Sequence, residues 1–416
     1  MLYEYVPTLF RRHGVVFGVR REFHAPLFKY VFYDQLLVGI NCTNEQAGLL
    51  LTIYTIMNLC LYIPGGWVAD KYSAKWVIVL SLAGTGILNI FFATYMTFSM
   101  AMIVWVLLAF TTAFAFWSGV IKAIRLLGSA REQGRLYGFF NAGVGLFSAG
   151  VSAVGMFVYG LFVADQVAGL KGVIYVQGAA CLLSATVVMF FYAENKNGAE
   201  ESEDDKFQTK DLLTVLKEPM TWVISLLIFC GHGIYTSTSY FNPYMTNVIG
   251  VTMAFSGVLA IVRTHILRVI CGPVGGVLAD RVKSPSLVLI YCFAAMTALL
   301  AIFIFIPAGT SAVVVIGLQL LLAAVTFTAY AILYSCIEEA GIPRKLTGTT
   351  VAMASMLGYL PDMIYNPLFG RWLDQYQNTG YIYIFLFLAV SGLVGMGMAF
   401  LVRRRGNARR FTESAG

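Results

Sequence analysis

The chain has 416 residues, of which 59% are hydrophobic and 12% charged, against about 25% charged in an average soluble domain. A mean hydropathy of +0.76 excludes intrinsic disorder, which needs low hydrophobicity and high net charge. The net charge of +7 does not signal nucleic acid, because the basic residues stand in short clusters between apolar spans, at Arg11–Arg12, Arg20–Arg21, Arg344–Lys345 and Arg403–Arg405. That placement is what a cytoplasmic membrane face requires.

A spanning helix needs about 20 mostly apolar residues. Residues 1–20 lack the apolar core of a cleavable signal peptide. The first candidate span is 23–43, the least apolar of all, which carries Lys29 and Asp34. It is either a marginal helix stabilised by its neighbours, or residues 1–22 stand where a longer apolar stretch belongs. Eleven clear spans follow, near 46–68, 74–96, 98–121, 136–161, 172–193, 220–243, 251–277, 286–307, 311–335, 347–370 and 380–402. Lys and Arg gather in alternate loops, at Lys71, Lys75, Lys122, Arg125, Arg131, Arg135, Arg281, Lys283, Arg344 and Lys345. The positive-inside rule makes those loops, and both termini, cytoplasmic.

The one long polar stretch, 194–219, carries an acidic run from Glu200 to Asp205 and reads as a solvated joint. It divides the chain into an N-terminal six-helix bundle (1–193) and a C-terminal one (220–416). The halves repeat a motif: Gly65-Gly66-Trp67-Val68-Ala69-Asp70-Lys71 closes the second span and Gly275-Gly276-Val277-Leu278-Ala279-Asp280-Arg281 the eighth. A repeat at equivalent depth points to duplicated units. The seven cysteines are scattered, with no metal spacing and no disulfide framework. No P-loop occurs, so ATP is not the energy source, and no cofactor is expected.

The repeated G-x-x-x-D-[RK] signature resembles the loop between the second and third helices of the major facilitator superfamily, and residues 30–402 fit its pattern. Lys29–Asp34 and the Lys122–Arg135 loop resemble its anion:cation symporter and organophosphate antiporter branches. The resemblance implies an all-α membrane protein of two six-helix bundles around a central cavity, lined by the first, fourth, seventh and tenth helices, with a midplane site reached by alternating access. Organophosphate antiporters place an arginine in the first helix and another in the seventh. Here those helices hold Lys29, Asp34 and His232 instead, so a phosphate gripped in that manner is not implied.

Ionisable groups inside a span cost roughly 2.5–3.5 kcal/mol on insertion scales, so they face a cavity or pair. Arg263, near mid-span, is the first candidate for an anion contact because its guanidinium matches a carboxylate in a fixed fork; a structural ion pair, with Asp362 as a candidate partner, is the other reading. Arg268, about 140° further round an ideal helix, is assigned to an interdomain or loop network. Asp34 and Asp362 are candidates for proton coupling. His232, between two glycines, could bind solute or a proton, or simply satisfy a backbone carbonyl. Tyr33, Tyr54, Asn58, Trp117, Asn141, Tyr235, Gln319 and Tyr359 are candidates for a polar cavity wall or for packing. Gly145, Gly150, Gly155 and Gly160 suggest a close-packed helix face. Asp70, Lys71, Asp280 and Arg281 are expected to gate.

The function expected is secondary active transport of a small polar organic anion, a sugar acid or carboxylate, coupled to H⁺ or another ion, by a monomer in the lipid bilayer. Efflux of amphipathic compounds and a non-transporting membrane sensor are the alternatives. An enzyme would need a catalytic or metal cluster that the sequence lacks.

Overall fold

The structure, a computed structural model, describes residues 30–114, 116, 119–120, 123, 133–162, 164–192, 214–307, 309–342 and 344–414, with backbone alone at 62–63, 66–67, 69–70, 113, 133–142, 344–345, 347–348, 352 and 409–414. Every regular element among these residues is helical. In chain order they are α1 (Tyr33–Ile40), α2 (Asn44–Lys71), α3 (Ala74–Thr94), α4 (Phe98–Ala109), α5 (Gln133–Leu161), α6 (Gln166–Phe191), α7 (Pro219–Asn247), α8 (Met253–Val282), α9 (Pro285–Ile304), α10 (Ala312–Glu339), α11 (Arg344–Gly358), α12 (Leu360–Tyr376) and α13 (Asn378–Ser414). Eight stretches are long and apolar enough to cross a membrane: α3, residues Gly143–Leu161 of α5, α6, α7, α8, α9, α10 and α13 as far as Ala408. Their outer faces carry large exposed apolar side chains, among them Leu80, Phe157, Phe190 and Phe305. Lipid can cover such a surface and water cannot.

The boundaries follow from local chemistry. Thr43 and Gln46 form a capping box at the start of α2. Ser284 caps α9, whose first residue is Pro285. The weak first span contributes only α1, eight residues long; its earlier part, with Lys29, lies outside the described residues, as do most of the 194–219 joint and the Lys122–Arg131 loop.

The chain divides into two compact units, Met1–Glu201 with Met253–Ile266, and Ser202–Thr252 with Leu267–Gly416. In the first unit α3 packs along α6, and a core cluster joins Ile78, Leu82, Phe116, Val120, Val144, Ala185 and Val188. In the second, α9 packs along α13, where Gly395 brings the backbone against the ring of Phe293. Helix α8 contributes to both units and widens into a π turn at Val262–Ile266, next to the division.

The repeated motif has the same packing role in each unit. A Cβ on Gly65 would strike the backbone carbonyl of Phe114, and one on Gly275 the carbonyl of Thr328. Glycine is required at both places because a neighbouring main chain occupies the side-chain volume. On the expected glycine face of α5, a Cβ on Gly155 would meet Val173, while Gly150 and Gly160 have nothing within 4 Å. Steps of five residues turn about 140° each on a 3.6-residue helix, so these glycines share no face.

Candidate functional site

The second unit gathers a polar cluster at two broken helices. Helix α7 loses regularity at Thr238–Tyr240, which is 3₁₀. Ser237, Thr238 and Ser239 each donate a hydroxyl to a carbonyl three or four residues back, at 2.6, 2.7 and 2.9 Å, and Pro243 withholds a donor from the next turn. The other break separates α11 from α12 at Tyr359 (φ −93°, ψ −1°), just before Pro361. Pro361 has no N–H to offer and its ring crowds the preceding turn, so the helix restarts, with Asp362 in the first turn of α12.

His232, Tyr235 and Thr236 are spaced i, i+3, i+4 and so share one face of α7. Asp362 meets that face. Its Oδ2 lies 2.9 Å from His232 Nε2, and its Oδ1 accepts the hydroxyl of Thr236. The His232 side chain is 4% exposed and that of Asp362 26%, so the carboxylate stays partly exposed. His232 Nδ1 has no hydrogen-bond partner among the described residues.

Aromatic rings enclose the imidazole. Tyr359 stands edge-on with its centroid 4.4 Å away, and Tyr235 and Tyr330 lie at 5.6 and 5.9 Å. Tyr235 and Tyr330 stack on each other at 4.5 Å. Arg268 of α8 lies within electrostatic range of Tyr330. Gly233 makes the arrangement possible, because a Cβ there would lie 2.5 Å from the ring of Tyr365.

The cluster therefore unites His232, Tyr235, Tyr359 and Asp362 of the residues expected from sequence, and adds Thr236 and Tyr330, with Arg268 within electrostatic range. Thr236 was legible, one helical turn after His232. Tyr330 and Arg268 had no distinguishing local signal, since tyrosines and arginines also belong at helix ends.

The remaining candidates stand elsewhere. Gln319, on α10, is buried, and its Oε1 has no partner among the described residues. In the first unit Arg263 is fully buried and donates through Nη2 to the carbonyl of Tyr30 at 3.1 Å. Beside it in sequence, His265 contacts the hydroxyl of Ser152 at 3.3 Å. Asp34 is buried, within electrostatic range of Tyr159. Tyr33 donates to Asn44 at 2.9 Å, and the Tyr54 hydroxyl bonds that of Thr112 at 2.8 Å. Asn58 is buried, with Oδ1 unpartnered among the described residues. Lys71, Asp280 and Arg281 are exposed at helix ends. Trp117 lies outside the described residues, as do the side chains of Asn141 and Asp70.

Among the described residues no group of His, Cys, Asp and Glu is placed to hold a metal ion. Apolar helices of membrane-spanning length and a half-buried polar cluster at two helix breaks describe an integral membrane protein of the carrier type. The comparisons make this specific: the chain belongs to the Major Facilitator Superfamily, whose family model matches residues 21–365. Members of that family are transporters rather than enzymes. The chain is 32% identical over 360 residues to inner membrane protein YqcE of Escherichia coli (strain K12), covering 85% of this chain and 84% of that one. It is 28% identical over 396 residues to inner membrane protein YihN of the same organism, covering 93% of each. Among solved structures, the crystal structure of nucleoside transporter NupG shares the fold with a TM-score of 0.68 at 14% identity, over 91% of this chain and 94% of that one.

Proposed function

We propose that this protein is a secondary transporter, acting as a monomer, that moves a small polar organic anion such as a sugar acid or carboxylate by alternating access, with H⁺ as the coupling ion. The observation that carries the reading is the partly exposed carboxylate of Asp362, bonded to His232 and Thr236, with Tyr235, Tyr330 and Tyr359 around the imidazole. An ionisable pair at a helix break inside a membrane protein is costly and marks a substrate or proton path. Tyrosine and threonine hydroxyls suit the hydroxyls of a sugar acid, and a guanidinium suits its carboxylate.

The reading places the anion contact at Arg268, which stands with the tyrosines. Arg263 becomes available only when its bond to Tyr30 opens. The inner membrane is proposed as the location from the names of YqcE and YihN, and cytoplasmic termini from the Lys and Arg loops. Two six-helix bundles joined by 194–219 are proposed as the moving bodies. Asp70, Lys71, Asp280 and Arg281 are proposed as the latch at the inner helix ends.

The test is uptake by proteoliposomes of labelled sugar acids, carboxylates, neutral sugars and an amphipathic dye, with the lumen made alkaline. Accumulation of an acid that follows the pH gradient, and is lost in Asp362→Asn, is the expected result. Movement of neutral or amphipathic compounds alone would overturn it, and no movement of any of them would favour a sensor.

A further inference from the structure

The bond between His232 and Asp362 fixes more than position. An ionised carboxylate only accepts hydrogen bonds, so a neutral His232 in this pair carries its proton on Nε2. Thr236 donates a second hydrogen bond to the same carboxylate. Nδ1 is then left with a bare lone pair, at a buried ring with no hydrogen-bond partner for that atom among the described residues. A buried acceptor of this kind is normally satisfied.

We infer that His232 and Asp362 are a proton-sharing dyad in which Nδ1 takes up the coupling proton and the resulting N–H grips the carboxylate of the transported acid. This rests on the transport reading above and deepens it. A proton from water bonds to the Nδ1 lone pair, the ring becomes imidazolium with Nε2–H still on Asp362, and no bond to carbon changes. The solute carboxylate then accepts from Nδ1–H.

Charge balance gives the stoichiometry. The empty dyad holds one negative charge, on Asp362. Loaded with one proton and one monoanion, it again holds one negative charge. The energy of carrying charge through a low-dielectric interior is therefore similar in the two states, so empty and loaded carrier can both reorient. Either partner alone changes that charge and stalls the carrier. A one-to-one symport of proton and monoanion follows, electroneutral overall.

The groups around the ring are consistent with an exchangeable proton. On α7 this is Tyr235; on α10, Tyr330; at the α11–α12 break, Tyr359 and Asp362; Arg268 of α8 lies within electrostatic range of Tyr330. Asp362 is the acid among them, so it alone can hold the imidazolium. Asp362 is thus a positioning residue, acting through His232.

The experiment needs no knowledge of the solute. The chain has four histidines, so imidazole ¹⁵N spectra of the full-length protein in lipid nanodiscs, labelled at histidine, resolve each ring, and His232→Gln identifies the signal. We expect neutral His232 to show a protonated Nε2 and a bare Nδ1, to gain a second proton at Nδ1 as the pH is lowered, and to become a mixture of tautomers in Asp362→Asn. A neutral ring protonated at Nδ1, a ring that never gains the second proton, or an unchanged tautomer in a folded Asp362→Asn would each overturn the dyad. If Asp362→Asn does not fold, the wild-type tautomer and its protonation decide alone. Proteoliposome uptake separates this inference from the broader reading: an acid accumulated by a protein whose His232 has the other tautomer keeps transport and removes the dyad.

Discussion

Glu339 accepts the backbone N–H of Ser286 at 2.8 Å through Oε2, while its Oε1 takes the hydroxyls of Ser284 and Ser286 at 2.6 and 2.8 Å. A carboxylate from the end of α10 thereby caps the start of α9, satisfying donors that a helix N-terminus leaves open. Replacing Glu339 by Ala strands a backbone N–H and two hydroxyls, at a cost of about 1–3 kcal/mol. Thermal unfolding in detergent should show a clear drop for Glu339→Ala and a smaller one for Ser286→Ala, which keeps the backbone bond. Equal melting temperatures for all three proteins would count against the cap.

Gly275→Ala should destabilise, because the new methyl meets the carbonyl of Thr328, a main-chain atom that cannot rotate away. Overpacking of this kind costs about 1–3 kcal/mol. The next residue is the control: Gly276 has nothing within 4 Å of its Cβ position, so Gly276→Ala should melt with wild type. Gly65→Ala should repeat the Gly275 result against Phe114.

The two arginines of α8 should separate in a thermal-shift screen with sugar acids and carboxylates. Arg263→Ala empties a fully buried position and removes the donor to Tyr30, so its own melting temperature should fall, by about 2–5 kcal/mol of stability. Arg268→Ala should melt near wild type but lose the stabilisation by acids. Ligand stabilisation retained in Arg268→Ala would return the anion contact to another residue.

Tyr54→Phe removes the hydroxyl shared with Thr112, which joins α2 to the π turn at Phe110–Phe114. A cost of about 1 kcal/mol is expected, with solute affinity unchanged in the same screen. A lost ligand shift with unaltered stability would make Tyr54 part of the site instead.

The sequence by itself determined where the helices run. A segment in lipid must satisfy its own backbone and stay apolar for about 20 residues, and both are local properties. Thus α3, α6, α9 and α13 stand where hydropathy put them, and the Pro361 break and the shared face of His232 and Thr236 follow from neighbours in the chain. Only the tertiary structure decided that His232 meets Asp362, 130 residues away, that Glu339 caps α9, and that Arg263 is buried while Arg268 is half-buried. Those outcomes depend on how helices pack, and a lone charge in an apolar span looks the same in sequence whether it ends against a carbonyl or beside an open cluster of tyrosines.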